Sequence, residues 1–363
     1  MKTVLVTGGG GLIGQAIVDR HLAAGDDVYV YDNRANSFND YSALRGTDIS
    51  GIGSLEELVT YRKFDIVSHQ AAFVGVGESQ YNVLKYVDNN VTFTAKLLQA
   101  FVSNKGYMPE LFMLAGSMGP YGEGPYRCSQ HGIFYPSREG VAGPACPVCA
   151  QPMMPQAIDE SCELHPKSVY GFTKKAQEDL LRVFSQTYRM RAISLRYFSV
   201  YGLNSNPNNP FTGVLSVIAN KIINSPQVSM YEDGEQTRDL ICADDVGAAH
   251  FAATRMRQDF LFEAFNIGTE RSRSLRAISD QMIARLMPGK PLAFSGEYRF
   301  GDIKHSQAIC RKFREMTGWE PKVTLDEAIE QYCRFVREHW SRFSTAEDTS
   351  SMEHMRLKEK GLI

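Results

Sequence analysis

Through the first half of the chain, short apolar runs alternate with stretches in which apolar side chains recur at helical spacing. The runs at 4–7, 28–31, 65–69, 110–115 and 191–198 are nearly continuous in apolar residues, the pattern of strands buried on both faces. Between them, 12–24 places Ile13 and Ile17 on one face, and 81–104 carries Val87, Val91, Leu97, Leu98 and Phe101 as a stripe. Another helical stretch of about 20 residues starts at Ser168. Parallel strands need crossover helices, so this alternation predicts an α/β fold built on a doubly wound parallel sheet.

Two segments break the rhythm. Residues 120–165 are rich in Gly, Pro and Cys, show neither period, and form an insertion ahead of Ser168. Residues 202–212 read GLNSNPNNPFT and mark the chain leaving the main sheet. Beyond them the pattern predicts strands at 228–231 and 265–267, a helix from Asp244, and helices over 274–287, 304–316 and 325–342. From Ser344 the chain is polar and charged, and is expected to be mobile or an extra surface helix.

A chain of 363 residues exceeds one ordinary core. With 22% charged residues and a net charge of −2, there is no bulk electrostatic case for nucleic acid or anionic membrane. No apolar run reaches the roughly 20 residues that cross a bilayer, and MKTVLVTGGG lacks the layout of a signal peptide. The expected location is cytoplasmic. Seven cysteines, an odd number in a long chain, argue against a disulfide framework.

The first strand runs into Thr7-Gly8-Gly9-Gly10-Gly11-Leu12-Ile13-Gly14 and then into a helix. Gly8, Gly11 and Gly14 form a G-x-x-G-x-x-G variant of the dinucleotide fingerprint. Glycine is needed for the tight turn, for close approach to a pyrophosphate and for helix–strand packing, and the helix N-terminus offers free N–H groups to phosphate. Asp32 ends the second strand, where a carboxylate holds a ribose diol and repels a 2′-phosphate. This favours NAD over NADP, although Arg34 nearby is of the type that accommodates that phosphate.

Tyr170 and Lys174 lie one helical turn apart on one face. An ammonium beside a phenol is expected to lower the tyrosine pKa toward working pH, making Tyr170 an acid/base for an alcohol or ketone. Ser117, just after the strand at 110–115, is placed to hydrogen-bond the same oxygen.

These motifs, in order with HQAAFVGVGES, YVDNNV, YGFTK and LRYFSVYG, resemble the extended short-chain dehydrogenase/reductases, specifically the NAD-dependent epimerase/dehydratase family. The resemblance runs from residue 1 to about 342, outside most of 123–158. It implies a Rossmann domain over 1–200 and 236–270, a nucleotide-sugar-binding domain over 201–235 and 271–343, and a polar tail over 344–363. It implies Ser117, Tyr170 and Lys174 as the catalytic triad. For NAD it implies contacts at Gly8, Gly11, Leu12, Ile13, Gly14, Asp32, Asn33, Arg34, Asp48, Ile49, Gln70, Ala71, Ala72 and Asn90, with Tyr170 and Lys174. For the substrate, a nucleotide-diphosphate sugar, it implies Ser117, Ser199, Arg238, Arg299 and Asp302. It also implies a homodimer in which helices 81–104 and 168–188 pair across a two-fold axis.

Departures narrow the reaction. Met118 and Gly119 stand where similar dehydratases carry an Asp-Glu pair and decarboxylating relatives a Glu. What remains is chemistry that one acid/base and NAD perform: epimerisation, expected at C4 of the sugar, through a transient 4-keto sugar. HQAAFVGVGES is similar to the corresponding stretch of UDP-galactose 4-epimerases, with Val74 at their lysine position. The alternatives are a nucleotide-sugar dehydrogenase or ketoreductase, distinguished by net change in NADH, and a non-catalytic NAD-binding scaffold, which would not need the triad.

Within the insertion, Cys128-Ser-Gln-His131 and Cys146-Pro-Val-Cys149 form two knuckles with the spacing of a zinc ribbon. Metal binding would offset the chain entropy of an irregular loop. A structural zinc on Cys128, His131, Cys146 and Cys149 is the expectation, with Cys162 as the substitute for His131. A similar cysteine-bearing insertion occurs in sequences resembling dTDP-L-rhamnose 4-epimerases.

Overall fold

Seven strands, all parallel, form the central sheet in the order Phe262–Ile267, Arg191–Tyr197, Leu111–Ser117, Ile66–His69, Thr3–Thr7, Asp27–Tyr31 and Thr47–Asp48. The computed structural model describes residues 1–34, 45–138, 140–203, 213–346 and 349–363. Side chains alternate across the sheet. Val4, Val6, Val28 and Val30 face the helices Leu12–Ala23 and Ala243–Thr254, while Leu5, Tyr29 and Phe112 face Phe93–Ser103 and Val169–Tyr188. The chain leaves Thr3–Thr7 to one side and returns to pair Ile66–His69 on the other. This reversal of strand order opens a crevice at the strand C-termini.

A second core lies beyond the sheet edge. It is built from Leu215, Ile218 and Ile222 of Val214–Asn224, Ile278 and Met282 of Leu275–Leu286, and Ile329, Tyr332 and Val336 of Leu325–Glu338. The helix Val214–Asn224 was not evident in the periodicity, and residues 204–212 of the irregular stretch before it lie outside the described residues.

Three other expectations are corrected, and one open alternative is narrowed. The stripe at 81–104 is broken into Val76–Ser79, Val83–Tyr86, a π-helical turn Val87–Thr92 and Phe93–Ser103. Helix at 304–316 is confined to Arg311–Thr317, because Thr237 bridges His305 and Ile158 bridges Ala308, drawing that backbone into extended pairings. The insertion is ordered, with Tyr126–Cys128 between Gly132–Phe134 and Met154–Pro155 in an antiparallel sheet. Of the two forms expected for the polar tail, the structure shows the helix, Thr349–Glu359, which buries Glu353 and Leu357 against Gly77 and Tyr81. Among the described residues, no helix is long and apolar enough to cross a membrane.

Candidate active site

The glycine turn is built for close approach. Gly8 sits at φ +73°, and a Cβ there would lie 2.6 Å from the Ala71 nitrogen; a Cβ on Gly14 would lie 2.1 Å from the Gly8 oxygen. The helix therefore rests directly on the strand end. Gly8, Gly11, Asp32, Asn33, Gln70, Ala71 and Ala72 line one groove, as the sequence predicts, together with Tyr31, Phe73, Asn89 and Phe93, which it did not single out. The Asp32 carboxylate accepts from the Gly10 N–H at 2.9 Å and the Arg34 N–H at 2.7 Å. The Arg34 guanidinium turns to Asp48 at 2.5 Å, and Asp48 also accepts from Ser50. Hydrogen bonds from Ser50 and Arg34 outweigh burial and hold the Asp48 carboxyl below its ordinary range. Ile49 is buried beneath, and Leu12 and Ile13 open the helix.

Asn90 lies behind this groove, fully buried. The π turn aims its amide at the Phe73 N–H and C=O, at 2.8 and 3.1 Å, and at the Thr173 hydroxyl at 3.0 Å. Both ends of the amide are thus engaged by protein, so Asn90 fixes the 71–73 loop against the Tyr170 helix.

Ser168 caps that helix, accepting from the Gly171 N–H at 3.0 Å, which places Tyr170 in its first turn. The Ser79 hydroxyl accepts from the Tyr170 N–H at 3.0 Å. Lys174 is 3% exposed and donates to the Ala115 carbonyl at 3.0 Å, and Ser117 accepts from the Gly119 N–H at 3.0 Å. Burial pushes the Lys174 ammonium down to about 7. Burial also raises the Tyr170 phenol, opposed by its hydrogen bond to Ser117. The expectation of a tyrosine lowered by its lysine is therefore not met in the protein alone: burial dominates, and what opposes it is Ser117 rather than Lys174. One turn beyond Lys174, Glu178 pairs with Arg196 at 2.5 Å, and Arg196 donates to Tyr121 at 2.6 Å. The same helical period that joins Tyr170 to Lys174 could have found Glu178.

Ser199 begins the short strand Ser199–Tyr201, paired with Thr237–Cys242, which carries Arg238. Arg238 donates to the carbonyls of Thr237 and Lys304, at 2.9 and 3.2 Å. Among the described residues it forms no ion pair, and burial pulls its guanidinium below its ordinary value. Arg299 pairs with Asp302 at 2.7 Å, yet its buried Nε has no partner. The Asp302 carboxylate, expected at the substrate, holds Arg299 through one oxygen. His305 between these groups is held down to about 4, first by burial and then by Lys304, Arg238 and Arg138. Arg138, Arg299 and Lys304 are thus paired with carboxylates, and Arg238 is left without one among the described residues.

In the insertion, the ligand atoms of Cys128, His131, Cys146 and Cys149 all lie within 4.8 Å of one another. Cys128 Sγ is 3.5 Å from His131 Nδ1 and 3.7 Å from Cys149 Sγ, and Cys146 Sγ is 3.6 Å from the same Nδ1. Cys162 lies apart, beside Asp159. None of the seven cysteines forms a disulfide.

The model of the NAD-dependent epimerase/dehydratase family matches residues 4–268, and the chain belongs to that family. It is 29% identical to dTDP-L-rhamnose 4-epimerase of Burkholderia thailandensis, over 94% of this chain and 96% of the relative. It is 27% identical to UDP-glucose 4-epimerase of Halalkalibacterium halodurans, over 94% and 98%. Among solved structures, UDP-glucose 4-epimerase of Thermotoga maritima with UDP-glucose superposes with a TM-score of 0.76 at 25% identity, covering 93% of this chain and 99% of that one. UDP-glucose 4-epimerase of Thermus thermophilus, in complex with NAD, gives 0.72 at 26% identity, covering 92% and 99%.

Proposed function

We propose that the protein is an NAD-dependent epimerase that inverts C4 of a nucleoside-diphosphate sugar and retains its cofactor. The observation that carries this reading is the attachment of the Tyr170–Lys174 helix to the dinucleotide groove, Asn90 bonding both Thr173 and the groove residue Phe73; Arg238, without an ion pair among the described residues, and Arg299, with an unpartnered Nε, add anion-type donors. When bound, NAD supplies a hydride acceptor at C4 and then a hydride donor. Tyr170 takes the proton of the C4 hydroxyl and later returns it, while the Ser117 hydroxyl holds the same oxygen. Lys174, one turn from Tyr170, would hold the nicotinamide ribose. Arg238 and Arg299 anchor the diphosphate, so that the 4-keto sugar can turn about that link and present its other face. Ser199 lies beside this anchor. No second acid/base pair follows Ser117, since Met118 and Gly119 occupy those positions, which disfavours dehydration.

Asp32, with Arg34 drawn to Asp48, supports NAD rather than NADP. The cysteine cluster suits a structural zinc. Bonds of about 2.3 Å to sulfur and 2.0–2.1 Å to nitrogen give tetrahedral edges of roughly 3.8 Å (S–S) and 3.5 Å (S–N), close to the separations above. Cys128, His131, Cys146 and Cys149 would fill all four positions, leaving the metal no catalytic vacancy. A homodimer is supported by outward-facing Leu84, Phe172 and Val183, which are 70%, 55% and 57% exposed on the two expected helices.

The test is to incubate the purified protein with a panel of UDP- and dTDP-sugars without added NAD and follow products by NMR. Interconversion of C4 epimers without net NADH is the expected result. Stoichiometric NADH formation or consumption would mark a dehydrogenase or reductase instead.

A further inference from the structure

The reaction makes no use of the most heavily bonded side chain of the insertion, Arg138, which is 5% exposed. Its Nε donates to Glu123 at 2.9 Å, and its two Nη atoms donate to both oxygens of Glu232 at 3.0 and 3.1 Å. It also donates to the carbonyls of Gly140 and Asp302, at 2.5 and 3.0 Å, and lies over the Tyr298 ring. One guanidinium thus joins the insertion to the region that carries the phosphate-type arginines.

Both of those arginines hang on this junction. The Asp302 carbonyl is held by Arg138 while the Asp302 carboxylate holds Arg299. The Lys304 N–H donates to Glu123 at 3.2 Å while the Lys304 carbonyl accepts from Arg238. The Lys304 ammonium reaches Asp233 at 3.0 Å and the Val141 carbonyl at 2.6 Å. Glu232 stands at φ +55°, a region that favours glycine, and the bidentate Arg138 pair holds it there. Buried ion pairs are a costly way to obtain stability alone, and their best-attested use is to fix a particular geometry.

We propose that Arg138 is a positioning residue that sets the spacing of Arg238 and Arg299, so that the insertion governs affinity for the nucleoside diphosphate. This rests on the diphosphate reading of that pocket. The experiment measures binding of UDP and of dTDP to the NAD-loaded protein by calorimetry, together with KM, kcat and bound NAD. It compares wild type, Arg138→Met, Arg138→Lys and the double variant Arg138→Met/Glu232→Gly, which removes the stranded carboxylate and suits the positive φ. Arg138→Met and the double variant are expected to lose about tenfold or more in nucleotide affinity, with KM rising in step. In both, kcat should stay within about threefold and NAD content should be unchanged. Lysine should recover only part of the affinity, since an ammonium cannot span the two carboxylates and the carbonyl as a fork does. Wild-type affinity in an NAD-retaining variant overturns the proposal, as does loss of NAD in both methionine variants. A wild-type protein that binds neither UDP nor dTDP overturns the diphosphate reading itself.

Discussion

Tyr170 and Asp32 are single side chains whose removal separates chemistry from binding. Tyr170→Phe deletes only the acid/base oxygen, so kcat should fall by about 10²- to 10⁴-fold while NAD content stays at the wild-type level, read by turnover and by cofactor release. Asp32→Ala removes a charged acceptor, worth about 1.5–3 kcal/mol to a ribose hydroxyl and adverse to a 2′-phosphate. NAD affinity should fall roughly ten- to a hundredfold while NADP falls less, checked by titrating each cofactor. Both residues were legible in the sequence because their function sits in a short local spacing. Phe73, Asn89 and Phe93 were not, since they reach the groove only where the π turn and the strand at Ile66–His69 meet.

Elements show where periodicity suffices and where it is overruled. The stripe through 81–104 has helical period throughout, yet the register shifts by one residue at Val87–Thr92 so that Asn90 reaches Phe73 and Thr173. Hydrogen bonds to distant backbone decide that shift, and no local pattern encodes it. The insertion has little apolar core, namely Tyr126, Cys128, Cys146 and Met153, so its order should depend on metal. Elemental analysis should find about one zinc per chain, and Cys146→Ser should lose it and increase protease sensitivity within 123–158. Metal near zero in protein purified without chelator would leave a plain thiol loop. The cluster geometry also separates His131 from Cys162 as the fourth ligand, an alternative that spacing left open.

Two expectations belong to the whole molecule. Leu84, Phe172 and Val183 should be covered by a second copy, giving a dimer by light scattering at micromolar concentration; Phe172→Glu should shift it toward monomer. Acid stability follows from buried neutral histidines. Burial holds His69 down to about 3 and His250 well below its ordinary value, and with neighbouring cations holds His305 to about 4. Each folded-state pKa lies below the unfolded value near 6.5, so below that pH the unfolded chain binds protons the folded chain refuses. Their stabilisation is complete above pH 6.5 and should be lost as pH falls toward 4, seen as a falling urea midpoint. His69→Gln should flatten that slope.

By itself the sequence determined the parallel sheet, the glycine turn with the acidic end of the second strand, and the one-turn spacing of Tyr170 and Lys174, because each follows from a period or spacing within one or two adjacent elements. Tertiary structure decided what depends on partners far apart in the chain. It drew 304–309 into extended pairings rather than a helix, and folded the polar tail back so that Glu353 accepts from Tyr81 at 2.6 Å. It paired Asp302 with Arg299, and brought Arg138 out of an irregular loop onto Glu232. Those contacts join charged groups across long separations, and burial gives them their strength. A linear pattern carries the charges but neither the burial nor the pairing.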